Sequence, residues 1–172
     1  MTIGVLFVCT GNTCRSPMAV GVLRSVVRRA GIGHLFEIGS AGTGRIRAGQ
    51  PPSLLAIEVA ARRGYDISDQ RSRRLVAGDI SHFAYSLAMD RTHLAAMRTI
   101  APSGFADRPQ MFLKFAPALG VRDIVDPYGG TVEDYERALD LIEAGCVGLL
   151  THLRATLERT APRPAPAVGN RD

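Results

Sequence analysis

Ile3 to Val8 is an almost unbroken apolar run, interrupted only by Gly4. That pattern predicts a strand covered on both faces, as in parallel sheets. Small and polar residues from Cys9 to Arg15 follow, hence a loop. Ser16 before Pro17 reads as an N-cap with proline at the first helical position. Met18, Val22, Leu23, Val26 and Val27 then recur at helical spacing, predicting an amphipathic helix to about Gly31. Phe36 to Ser40 suggests a second strand, and the Gly/Pro-rich stretch from Ala41 to Pro52 a long loop. Ser53 to Arg63 reads as a helix stopped at Gly64. His82 to Met89 is a third strand, and Arg91 to Ile100 a helix ended near Pro102. Met111 to Phe115 fits either a fourth strand or a short helix. Asp126-Pro127-Tyr128-Gly129-Gly130 is turn-forming, and Thr131 with Asp134 resembles a capping box opening a helix to about Glu158.

Strands alternating with helices imply one α/β domain with a parallel sheet over residues 1–160. Residues 161–172 hold three prolines and no apolar periodicity, which predicts a disordered tail. Apolar residues make up 46% of the 172, enough to bury a core. No apolar run has the length of about 18 residues that a membrane helix needs, and the N-terminus lacks the basic region of a leader. The sequence thus predicts a soluble, unprocessed protein with no membrane partner.

The formal net charge is +5, and the only lysine is Lys114, so the positive charge is nearly all arginine. Compositional bias accounts for this as readily as attraction for anions does. No arginine-rich run is interleaved with aromatics, which argues against nucleic acid as a partner. Three cysteines, Cys9, Cys14 and Cys146, are too few and too odd for a disulfide framework, and fit a reducing cytoplasm. Cys146 lies in an apolar helical stretch and reads as core.

The chemistry concentrates in Cys9-Thr10-Gly11-Asn12-Thr13-Cys14-Arg15-Ser16. A bare Cys-x5-Arg spacing is weak evidence in so arginine-rich a chain, but here it joins the end of a strand to the start of a helix. Ligands of open α/β sheets bind there. Successive amides of such a loop can surround a phosphate, and the helix adds the positive end of its dipole. Arg15 can hold two phosphate oxygens. Gly11 permits close backbone approach, and Asn12 tolerates a left-handed conformation. In these surroundings the Cys9 thiol is expected to ionise near neutrality and attack phosphorus, with Ser16 bonding to the thiolate. The bland alternative is a small buried residue ending a strand. Cys14 is either a packing residue or the partner of a reversible disulfide with Cys9. Asp126, restricted to extended backbone by Pro127, is the candidate general acid and base, although a purely turn-forming role fits equally well. Tyr128 beside it is placed to wall a substrate pocket.

VLFVCTGNTCRSPM from Val5 to Met18 resembles the signature of the low-molecular-weight protein-tyrosine phosphatase family, and DPYGG from Asp126 to Gly130 resembles its acid loop. SAGTG from Ser40 and AMD from Ala88 follow the same order. The resemblance implies a four-stranded parallel sheet flanked by helices, Rossmann-like, without metal or cofactor. It implies Cys9 as nucleophile, Arg15 as phosphate ligand, Asp126 as acid and base, and a phosphorylated protein as substrate. It also places Ile46 in the substrate pocket beside Tyr128, where many members carry an aromatic residue. Gln70 stands where many relatives have a histidine supporting the loop asparagine. Thr13 resembles the protein-arginine phosphatases of the family rather than tyrosine-selective members with Ile. The expected activity is phosphotyrosine hydrolysis through a phosphocysteine, with arginine phosphatase as the alternative. Arsenate reductase and a non-catalytic phospho-residue binding module are the remaining rivals.

Overall fold

The computed structural model describes residues 2–45 and 48–160. The predicted tail at 161–172 and the pocket residue Ile46 lie outside the described residues. Four strands, β1 (Ile3–Cys9), β2 (Phe36–Gly42), β3 (Tyr85–Ala88) and β4 (Pro109–Met111), form one sheet in the order β2-β1-β3-β4, all pairs parallel. Helices α1 (Arg15–Arg29), α2 (Leu54–Arg62), α3 (Ala77–His82), α4 (Arg91–Ile100) and α5 (Val132–Thr160) cover it. It is a single α/β domain, as the alternating pattern predicts.

β1 is the central strand, and its side chains alternate between two cores. Val5, Phe7 and Cys9 join the core built with α1, α2 and α5. Leu6 and Val8 point the other way, into a smaller core that includes Ile80 of α3 and Met97 of α4. The two-faced burial explains the unbroken apolar run. It also sets Cys9 at the carboxyl end of β1, on the face that α1 covers.

Several boundaries differ from the expectation. α1 begins at Arg15, and Cys14 at its N-cap makes no side-chain capping bond. Ser16 is therefore not the cap: its hydroxyl is committed to Cys9 and Asn12. Pro17 sits at the third helical position, still inside the first turn, where no amide is required. Ser53 is the N-cap of α2, accepting from the Ala56 amide at 3.3 Å. His82 closes α3, so the third strand starts only at Tyr85. The undecided stretch at Met111 is both things in succession: β4 ends at Met111, and a 3-10 turn runs from Phe112 to Phe115. At the start of α5, Asp134 accepts from the amide of Thr131 at 2.7 Å, as the capping pattern predicts.

α5 can lie against that 3-10 turn only because it carries Gly145 and Gly148. A Cβ at Gly148 would stand 1.8 Å from the Phe115 carbonyl oxygen, and one at Gly145 would stand 2.6 Å from the Phe112 ring. In an exposed helix Gly→Ala stabilises by about 1 kcal/mol. Here the sign should invert: Gly148→Ala is expected to destabilise by about 1–3 kcal/mol, read as a lower denaturation midpoint in urea at unchanged m-value.

Candidate active site

The loop from Cys9 to Arg15 turns with its carbonyls outward. Thr43 donates to the Cys9 carbonyl, Gly44 to Thr10 and Ser53 to Thr13, at 2.9, 3.0 and 2.8 Å. Gly44 must be glycine for this, because a Cβ there would lie 3.1 Å from the Thr10 carbonyl oxygen. Among the described residues, no amide from Thr10 to Cys14 donates to another backbone carbonyl. The amides are thus left free to line the concave side, which is how backbone alone binds an anion. Asn12 supplies the left-handed residue, at φ 54°, the one non-glycine with positive φ among the described residues.

Asn12 also locks the loop. Its Nδ2 donates to Ser16 Oγ at 2.9 Å and to Ser40 Oγ at 2.8 Å, and its Oδ1 accepts from the Arg73 amide at 2.9 Å. Gln70 does not take part in this: it donates to the Pro17 carbonyl at 2.8 Å, and the backbone of Arg73 does the supporting. Ser16 Oγ lies 3.0 Å from Cys9 Sγ. With its own oxygen accepting from Asn12, the hydroxyl proton is left for the sulfur.

Burial pushes the Cys9 thiol above its ordinary range, while the Ser16 hydroxyl, the Ser16 amide, the charge of Arg15 and the Asn12 amide pull it down. Burial is the strongest of these, an opposing influence absent from the sequence-based expectation. The positive end of the α1 dipole acts with Arg15, favouring the anion.

Arg15 is buried at 2% exposure, yet carries a full charge. Nη1 donates to Asp90 Oδ2 at 2.9 Å and to the Ile124 carbonyl at 2.8 Å. Nη2 donates to Asp126 Oδ2 at 2.8 Å and, at 3.4 Å, to Thr10 Oγ1. Its buried Nε has no partner among the described residues. Asp90 caps α4 just beyond β3. Burial works against its charge, but bonds from Thr92, the His93 amide and Arg15 prevail and hold it below the ordinary carboxylate range. Asp126 is brought in from more than a hundred residues away because the Ile124 amide bonds to the Met89 carbonyl at the end of β3. Its side chain is 45% exposed, and Oδ1 accepts from the Tyr128 amide at 3.2 Å.

Above the loop opens a cleft of about 480 Å³. Cys9, Thr10, Gly11, Thr13 and Cys14 line it from the loop, and Asp126 and Tyr128 from the acid loop. Arg45, Gln50, Pro51, Ser53 and Ser72 complete the wall. Ser53 carried a legible signal as a helix cap; the others are placed by tertiary packing alone. Cys14 is a buried free thiol, 3.3 Å from Ser53 Oγ and 3.4 Å from the hydroxyl of Tyr135. Cys146 is a free thiol in the core, as expected. No group of His, Cys, Asp and Glu that could hold a metal ion occurs among the described residues.

Residues 4–159 match the family model described as low molecular weight phosphotyrosine protein phosphatase. A low molecular weight protein-tyrosine-phosphatase of Streptomyces coelicolor is 39% identical over 164 residues, covering 94% of this chain and 99% of that protein. Among solved structures, a protein tyrosine phosphatase from Entamoeba histolytica superposes with a TM-score of 0.86 at 29% identity, over 91% of this chain and 99% of its own. The arginine phosphatase YwlE, solved as a mutant with a phosphorylated active-site serine, superposes with a TM-score of 0.79 at 25% identity, over 88% and 93%.

If the Ser16 hydroxyl stabilises the Cys9 thiolate, Ser16→Ala raises the thiol pKa. A bond to a charged group is worth about 1.5–3 kcal/mol, or about 1–2 pH units. Iodoacetamide alkylation of the Cys9 peptide, followed by mass spectrometry against pH, should show the midpoint move upward by that amount. An unmoved midpoint removes this role from Ser16.

Proposed function

We propose that this chain, which belongs to the low molecular weight phosphotyrosine protein phosphatase family, hydrolyses protein phosphotyrosine through a phosphocysteine on Cys9. The observation that carries the reading is the buried guanidinium of Arg15, with one N–H unpaired, in the same loop as a thiol bonded to Ser16. A phosphoryl group seated among the loop amides supplies the missing acceptor for Nε and replaces Asp126 on Nη2. Cys9 Sγ then attacks phosphorus in line, the S–P bond forms and the ester P–O bond breaks.

The phenolate needs a proton as it leaves, and Asp126 is the donor. Arg15 holds the Asp126 carboxylate while the seat is empty. A phosphate dianion taking over that guanidinium frees the Asp126 side chain to face the leaving oxygen. Binding thus prepares the acid. In the second step the carboxylate takes a proton from water, whose oxygen displaces the thiolate and releases inorganic phosphate; Ser16 stabilises the sulfur as it departs. No cofactor enters this sequence. Tyr128, exposed at the cleft mouth, offers a face to the substrate ring.

Thr13 supports a second reading, hydrolysis of phosphoarginine. Its side chain lines the cleft, and its hydroxyl suits a guanidinium nitrogen as an isoleucine would not. An arsenate reductase would need outward-facing redox thiols, whereas Cys146 is buried in the core. A binding module would have no use for a thiol and a carboxylate placed either side of the phosphate seat. The three free thiols suit a reducing cytoplasm.

Wild type should turn over p-nitrophenyl phosphate and Cys9→Ser should not. Asp126→Ala should lose about 10²–10⁴-fold in kcat on aryl phosphates. Acid quench of the wild-type reaction within milliseconds should leave a phosphoryl mass on the Cys9 peptide; its absence at every quench time rules out the covalent route. To separate the two substrates, wild type and Thr13→Ile are compared on phosphotyrosine and phosphoarginine peptides. The substitution should raise the preference for phosphotyrosine, and an unchanged ratio removes Thr13 from specificity.

A further inference from the structure

His93 is 1% exposed in α4, and no step above uses it. Its Nε2 lies 2.8 Å from Thr10 Oγ1. Its Nδ1 lies 3.0 Å from Asp90 Oδ1, off the line of a hydrogen bond. Thr10 and Asp90 both also touch Arg15. Four side chains, the guanidinium among them, therefore close a ring.

We propose that His93 is a positioning residue of the phosphate seat, one that orients Thr10 and Asp90 against Arg15 and whose protonation tightens the seat on a dianion. The inference rests on the phosphate-binding part of the reading above and not on the chemical steps. Thr10 Oγ1 gives a lone pair to Arg15, so its proton is directed to Nε2 of a neutral imidazole. The ring proton then sits on Nδ1, facing Asp90. Burial holds the imidazole below its ordinary range and the Arg15 charge adds to this, against the pull of Asp90 and Asp126. Asp90, Arg15 and Asp126 are the charged groups that face it, from the start of its own helix, from α1 and from the acid loop.

A proton taken up at Nε2 reverses the bond to Thr10. The hydroxyl must now accept from the ring, and its own proton is freed. A second positive charge also appears behind Arg15. A dianion in the loop offsets the repulsion between the two cations, and by linkage the proton and the dianion strengthen each other's binding equally.

Sulfate, a dianion from pH 5 to 8, tests this by calorimetry, which needs no turnover. Other groups around the seat also change anion binding with pH, so the reading is the ratio between wild type and His93→Gln, in which those groups remain. The ratio should be near one at pH 8 and reach about fivefold in favour of wild type at pH 5. In unmodified protein, sulfate should move the His93 imidazole titration upward in an NMR pH series. His93→Ala should lose about tenfold in kcat/KM on p-nitrophenyl phosphate at pH 8, with Gln restoring most of it. Sulfate affinities that coincide at every pH, or an imidazole titration that sulfate does not move, overturn the proposal, whether or not His93→Ala folds. A pH-dependent sulfate ratio in a protein without phosphatase turnover would keep the role of His93 and discard the proposed chemistry.

Discussion

A guanidinium charge sealed from water at the root of α1 governs the rest of the site. A buried cation must be paired or it costs several kcal/mol. Arg15 is met by two carboxylates, a carbonyl and a hydroxyl drawn from three separate segments. Those partners are unequal. Asp90 is mostly buried and fixed as the N-cap of α4, whereas the Asp126 side chain is 45% exposed on a loop. When an anion arrives, it is Asp126 that can yield. The same ion pair that satisfies Arg15 at rest thereby holds the Asp126 carboxylate beside the loop.

Burial does two opposite things to Cys9. It opposes the charge on sulfur, and it strengthens every dipole and hydrogen bond aimed at that sulfur, because little water is present to screen them. The chain from Ser40 through Asn12 to Ser16 matters for this reason: it fixes the orientation of the one hydroxyl that touches the thiol. A strongly acidic thiol would also be a poor nucleophile, since nucleophilicity falls with pKa and the best attacking thiol titrates near ambient pH. The opposition of burial to the loop electrostatics is therefore part of the reactivity and not merely its cost.

What the sequence disclosed follows from how local each feature is. β1, the loop and α1 are contiguous, so their apolar runs and the Cys-to-Ser spacing carried both fold and chemistry. Ser16-Pro17 carries a helix-start signal and yet misplaces the cap, because the tertiary demand of Cys9 for the Ser16 hydroxyl overrides the local rule. β4 is too short, at Pro109–Met111, for alternation to show. α3 is six residues with only Asp79 and Ile80 buried, too few for a helical stripe. Asp126 was legible from its turn only as an even choice between acid and turn former, which the motif resolved; what ties it to Arg15 is a bond from Ile124 to Met89 that no local pattern encodes. His93 was invisible for the same reason, and Gln70, which stands where relatives support the loop asparagine, bonds to the Pro17 carbonyl instead: a polar residue on a helix or loop discloses its partner only after folding.

Substrate choice must be settled at the cleft mouth, since the phosphate seat reads only the group that all phosphomonoesters share. Tyr128 is the aromatic residue of the described wall, and a ring contact of that kind contributes about 0.5–1.5 kcal/mol beyond area burial, so it favours an aryl ester by roughly tenfold and no more. The remaining wall is polar, with Gln50, Ser53, Ser72 and the cationic Arg45. Such a rim does little to exclude a flat cation or a small aliphatic ester by desolvation, and Arg45 adds a positive charge to it. Selectivity here is then a sum of weak contacts at the rim over a strong common seat, and a single side chain such as Thr13, at the join between the two, has more leverage than any residue farther out.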